Sequence, residues 1–140
     1  MDPWQLTPWD ELDMVIQLVM AAVVGGLIGY ERESAHKPAG LRTNMLVCVG
    51  ATLLTIASIH GFGLSSDPSR VAAGIVVGVG FLGAGTILRE EGAVLGLTTA
   101  ATIWSVAAIG LALGTGLYLA AVVAAAIVLA ALRLPIRPRS

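Results

Sequence analysis

Apolar residues run along this chain in long blocks separated by short polar segments. Five blocks approach the roughly 20 residues that a membrane-crossing helix needs: about 12–30, 43–60, 70–88, 97–114 and 117–132. Membrane β-strands would alternate in hydropathy, and these blocks do not. The pattern predicts an all-α membrane protein, one domain over residues 1–140, with about five transmembrane helices. Only Gly114, Thr115 and Gly116 separate the last two blocks. Those helices must form a very tight hairpin, or the fifth is short and tilted.

The breaks between blocks carry the polar chemistry. The first break holds Glu31, Arg32, Glu33, His36, Lys37 and Arg42, with Thr43 opening the next block. Basic residues follow at Arg70, Arg89, Arg133, Arg137 and Arg139, and none precedes the first block. Lys and Arg concentrate on the cytoplasmic side of membrane proteins. With five spans and an outside N-terminus, seven of the eight basic residues fall inside. Four spans would split the basic clusters across the membrane. Trp4 and Trp9 then lie near the outer interface, as aromatic anchors do. The leading Asp10, Glu11 and Asp13 do not resemble the basic start of a signal peptide, so the first block reads as a span.

Composition agrees with this reading. The chain is 56% hydrophobic and 12% charged, against about 25% charged in soluble domains. One cysteine, Cys48, excludes an intrachain disulfide and a multi-cysteine metal site. No Asp, Glu, Lys, Arg or His falls mid-block, where proton and ion pathways usually place them. His36 and His60 belong to opposite ends of a span. No catalytic group and no cofactor is expected, and Mg²⁺ is neither required nor excluded. The expected environment is the lipid bilayer, with no nucleic-acid partner.

Within the blocks, small and hydroxyl residues recur at helical spacing. Gly25 and Gly29, and Gly74 and Gly78, are small-xxx-small pairs, and Gly80, Gly83 and Gly85 follow closely. Such residues let membrane helices approach closely. The run Gly80–Gly85 is a tight crossing or a helix break that exposes carbonyls. Asn44, Cys48, Thr52 and Thr55 share one helix face, as do Thr98, Thr102 and Ser105. Each stripe is either internal hydrogen bonding or a seam wetted by a solute.

Helix dipoles favour anions at N-termini and cations at C-termini. Glu31, Arg42 and Arg70 sit against that preference. Glu31 and Arg42 end adjacent antiparallel spans, so they either pair across a turn at Lys37-Pro38-Ala39-Gly40 or snorkel into headgroups. Asp67-Pro68 reads as a helix start, with Asp67 capping, coupled to Arg70 three residues on, or both.

Four segments now stand together: GGLIGYERE (Gly25–Glu33), KPAGLRT (Lys37–Thr43), DPSRVAAGIVVGVGFLGAG (Asp67–Gly85) and GLTTAATIW (Gly96–Trp104). Their order and spacing resemble the MgtC/SapB membrane family over about residues 18–132. The resemblance implies a bacterial multi-pass inner-membrane protein linked to Mg²⁺-limited growth and, in pathogens, to virulence-related survival inside host cells. It implies regulation of another membrane complex, such as the proton-driven ATP synthase, more than transport. It places the family's polar motif on Glu31, Arg32, Lys37, Arg42, Thr43, Asp67, Arg70, Thr98 and Thr99. The chain is expected to be a short, membrane-only member without the family's soluble C-terminal domain. Glycine-rich faces and the lack of mid-span charge point to a non-enzymatic protein working by helix contact, as a homodimer, another homo-oligomer or part of a larger complex. The alternative is a Mg²⁺ or small-solute transporter with a pathway between subunits.

Overall fold

A computed structural model describes residues 5–135. The Trp4 anchor and the basic residues Arg137 and Arg139 lie outside the described residues. The chain folds into five helices and one short hairpin: α1 Pro8–Ser34, α2 Leu41–His60, α3 Ser69–Ala84, β1 Leu88–Glu90, β2 Ala93–Leu95, α4 Leu97–Gly114 and α5 Tyr118–Leu132.

Helix α1 begins earlier than the apolar pattern suggests. Thr7 and Asp10 form a capping box: the Thr7 hydroxyl accepts from the Asp10 N–H, and the Asp10 carboxylate accepts from the Thr7 N–H at 2.9 Å. Pro8 stands where its missing N–H costs nothing. At the far end, the Lys37 N–H reaches the Arg32 carbonyl and the His36 N–H the Glu33 carbonyl, both at 3.0 Å. That is a Schellman close. The residue it forces into the left-handed region is His36, at φ 54°, instead of a glycine. Ala39 is left-handed as well, at φ 55°. The α1–α2 turn therefore stores roughly 1–2 kcal/mol at each of these two residues. Pro38 and Gly40 lie in this turn, but neither is its left-handed residue.

The α4–α5 turn uses the same closure with the residue that suits it. Gly116, at φ 79°, donates to Leu113, and Leu117 donates to Ala112 at 2.9 Å. The very tight hairpin between the last two helices is thus built on one glycine.

Three helices, α1, α2 and α4, are long and apolar enough to cross a membrane. Helices α3 and α5 have 16 and 15 residues, spanning about 24 and 22 Å at 1.5 Å per residue. The third block was expected to stay helical to residue 88. It leaves the helix at Gly85, where Thr86 and Ile87 turn the chain, and Leu88 enters a strand. Leu88 pairs with Leu95, Arg89 with Val94 and Glu90 with Ala93. Glu91 and Gly92 both have positive φ, 43° and 84°, as a two-residue type I′ hairpin requires.

Helix α4 lies at the centre and touches the other four helices. The main core joins Ala21 and Ile28 of α1, Cys48 of α2, Val106, Ile109 and Leu113 of α4, and Ala121 and Ala125 of α5. A smaller cluster joins Ala51, Ile75 and Ala107, and it is the main anchor of α3. Helices α1 and α5 run parallel: Asp13 accepts from the Tyr118 hydroxyl at one end, and Glu31 and Arg133 line one cavity at the other. Consecutive helices otherwise run antiparallel. Arg32, Lys37, Arg42, Arg89 and Arg133 therefore gather at one end, and Arg70 starts α3 at the opposite end.

Candidate functional site

Glycine decides which helices meet. A Cβ on Gly25 would lie 2.7 Å from the Asn44 carbonyl oxygen and the Cys48 Cβ. On Gly29 it would lie 2.7 Å from the Gly40 oxygen and the Leu41 Cα. From the other side, Gly110 would meet the Cys48 oxygen at 2.5 Å and Gly114 the Thr55 Cβ at 2.6 Å. Helix α2 is thus clamped between glycine rows of α1 and α4. Gly110 and Gly114 share the spacing of Gly25 and Gly29, and that spacing was the signal for them in the sequence.

The hydroxyl stripes serve this clamp. The buried Thr52 hydroxyl lies 2.9 Å from the Cys48 carbonyl and 2.8 Å from the Gly110 carbonyl, so its one proton ties α2 to itself or to α4. Thr55, Thr102 and Ser105 donate to the carbonyls four residues back, at 2.7, 2.7 and 2.8 Å. The hydroxyl protons of these four residues are used within the helices. Of the matching motif residues, Thr99 is buried, whereas Thr43 and Thr98 are exposed.

Other glycines do the opposite. Gly74, Gly78 and Gly80 were expected to pack helices, yet among the described residues a Cβ on any of them would meet nothing within 4 Å. Helix α3 leans on α4 and stands away from α2, so these positions have no neighbour within the chain. Gly83 makes an ordinary contact with Ala100, and the nearest atom to Gly85 is the Leu82 carbonyl of its own helix. The helix stays closed through Ala84, so Gly80–Gly85 is not a mid-helix break. Gly50, Gly74 and Gly78 line an apolar groove of about 520 Å³ between α2 and α3, with Leu46, Leu54 and Leu82.

At the basic end the polar motif comes together differently from the expected clasp. Among the described residues Glu31 and Arg42 form no ion pair. The Glu31 carboxylate instead lies 4.0 Å from its neighbour Arg32, while Arg42 points outward and is exposed. The residue that closes the hairpin is Glu33, whose carboxylate accepts from the Leu41 N–H at 2.8 Å. Helix α2 starts at Gly40 with no side-chain cap and no acid in its first turn. Its free N–H groups therefore need an anion from elsewhere. That unmet need, more than the charge of Glu31, was the signal in the sequence. Asn44 completes the joint by donating to the Ala39 and Gly40 carbonyls at 2.6 and 3.1 Å.

Arg32 is 5% exposed, and among the described residues its Nε, one oxygen of Glu31 and the Asn44 Oδ1 have no hydrogen-bond partner. Lys37 is exposed. At the opposite end, Asp67 accepts from the Ser69 N–H at 2.9 Å and caps α3 from the exposed loop. Hydrogen bonds from Ser69, and less so the charge of Arg70, hold its carboxyl below the ordinary value. The cap is formed, and among the described residues Asp67 and Arg70 make no ion pair. Among the described residues no three of His, Cys, Asp and Glu cluster as metal ligands.

The polar turn, the clamped seam and the α3 glycines all fall within the stretch matched by one family model, MgtC, over residues 18–137. The chain belongs to the MgtC family. It is 51% identical over 113 residues to "Protein MgtC" of Brucella abortus (strain 2308), covering 81% of this chain and 47% of that protein. It is 47% identical over 113 residues to "Putative magnesium transporter YhiD" of Escherichia coli (strain K12), covering 76% and 53%. "Protein SapB" of Bacillus subtilis (strain 168) is 42% identical over 123 residues, covering 82% and 51%. The chain thus spans about half the length of these MgtC relatives. No solved structure matches it. Family membership and the three long apolar helices make it a membrane protein of the MgtC/SapB type.

Proposed function

We propose that this chain is a non-enzymatic inner-membrane protein that acts by helix–helix contact through α3, first with a second copy of itself. The observation that carries this is the unfilled glycine row of Gly74 and Gly78 beside Gly50. Lipid provides no hydrophobic drive between helices, so close backbone approach must supply it. An unfilled glycine row gives a partner that approach. Helix α3 also carries its own knobs. Val77 and Phe81, 75% and 82% exposed, stand one row from Gly74 and Gly78 on the helix surface. A row of knobs beside a row of holes is self-complementary, as a two-fold interface requires.

In this reading five helices cross the membrane, the bilayer thinning locally around the short α3 and α5, with the basic end in the cytoplasm. The same surface, or the polar turn at the basic end, would regulate a larger membrane complex such as the ATP synthase during Mg²⁺ limitation. Disulfide crosslinking of a Phe81→Cys variant (in a Cys48→Ala background) within native membranes tests the contact. A crosslinked homodimer at that position supports it, and monomer alone contradicts it.

The name carried by YhiD favours a second reading, transport of Mg²⁺ or another small solute between subunits. Two observations weigh against it: the groove is apolar and the hydroxyl protons are used internally. Mg²⁺ flux into liposomes holding the purified chain, lost on Asp67→Ala, would favour transport over contact.

A further inference from the structure

A second cavity, of about 570 Å³, opens between the C-terminal ends of α1 and α5. Its walls are Leu27, Tyr30, Glu31 and Ser34 from α1, and Leu129 and Arg133 at the end of α5. Glu31 and Arg133 line the same space, yet among the described residues they form no ion pair. One Glu31 oxygen is buried 4.0 Å from Arg32 and, among the described residues, accepts no hydrogen bond. A carboxylate can accept from several N–H groups, so Glu31 still offers an acceptor to a ligand in the cavity it lines.

The charges around the cavity are mixed in a particular way. Glu31 and the C-terminal ends of two helices favour a cation. Arg133 favours an anion. A bare metal ion would meet one carboxylate and the Arg133 guanidinium, and a free anion would meet Glu31. A ligand carrying both charges a few ångströms apart satisfies every wall. The volume is many times the ~30 Å³ of a water, and Leu27 and Leu129 give it an apolar side toward the membrane.

We propose that this cavity binds the headgroup of a phospholipid that bears a phosphate and a primary ammonium, the ethanolamine class. The ammonium donates to Glu31, the phosphate accepts from Arg133, and the acyl chains follow Leu27 and Leu129 down the α1–α5 cleft. A quaternary choline headgroup has no N–H for Glu31. A glycerol headgroup places no positive charge there.

The test uses the purified, delipidated full chain, titrated with ethanolamine, choline and glycerol phospholipids of identical acyl chains and read by native mass spectrometry. The ethanolamine lipid should bind at least about tenfold tighter than either other lipid, the worth of one charged hydrogen bond. Glu31→Gln should erase that preference, Arg133→Gln should weaken binding of all three lipids by about tenfold, and Arg89→Gln, at the same end but outside the cavity, should change neither. Circular dichroism checks that each variant is folded. Should Glu31→Gln fail to fold, the native chain's ranking of the three lipids and the loss of affinity in Arg133→Gln, at the exposed end of α5, decide together. Equal binding of the three lipids by the native chain, a preference that survives in folded Glu31→Gln, or undiminished binding by Arg133→Gln overturns the proposal. So does glycerophosphoethanolamine, which lacks acyl chains, displacing the lipid at equal concentration.

Discussion

Helix α2 has glycine on both sides of its seam with α1 and α4, and glycine again along its groove with α3. In the seam every glycine is filled: the backbone or Cβ of a neighbour lies where Gly25, Gly29, Gly110 or Gly114 would carry a side chain. In the groove Gly50, Gly74 and Gly78 face empty space. The same residue at the same spacing therefore does two jobs. In the seam glycine is used up by the fold. In the groove it is held open, and an open close-approach surface in a bilayer has a use only when something approaches.

The largest expected effect tests the closed side. Gly29→Ala places a methyl against the backbone of Gly40 and Leu41, so overpacking should cost about 2–3 kcal/mol. Steric-trapping measurement of unfolding in bicelles reads this. A neutral result would mean that the seam is looser than its distances. Next comes the joint that ends the seam. Glu33→Gln removes the anion from the α2 N-terminus and should cost about 1 kcal/mol. A Glu31/Arg42 double-mutant cycle should give no coupling by the same measurement.

On the open side the sign changes. Gly78→Ala should leave the fold intact or stabilise α3 by up to about 1 kcal/mol, because alanine is the better helix former and meets no neighbour. Destabilisation there would erase the contrast between the two regions. The smallest effect is at the start of α3. The carboxyl of Asp67 is held below its ordinary value by Ser69. Its contribution is therefore complete above the unfolded value of about 3.9 and is lost as pH falls through the lower folded value. Amide exchange in the first turn of α3 should rise only at such acid pH, and Asp67→Asn should remove that pH dependence.

Much of this contrast could be read in the sequence, though not its division. The apolar blocks located all five helices, because continuous hydropathy and helix length are local properties. Gly116 made the last turn predictable, since a left-handed closure favours glycine. Which glycines would be filled was not local. It depends on α3 leaning toward α4 through Ile75 and Ala107, a choice among helices that spacing alone does not encode. The β-hairpin was hidden because its strands have three residues each, one carrying Arg89 and Glu90. The clasp was assigned to Glu31 because charges opposed to the dipole were sought. Unpaired N–H groups on α2 lead instead to Glu33, eight residues before Leu41. The turn at Lys37-Pro38-Ala39-Gly40 was legible, but its left-handed close at His36 was not, because a Schellman close normally has glycine there.

The central claim is that the open α3 row is the surface through which the chain associates. Its most direct test is single-molecule photobleaching of labelled chains in lipid bilayers, comparing the native chain with Gly78→Leu. The native chain should bleach predominantly in pairs of steps at low density. Gly78→Leu should bleach in single steps while keeping its helicity and folding stability. An unchanged paired population in the folded Gly78→Leu variant would contradict the claim.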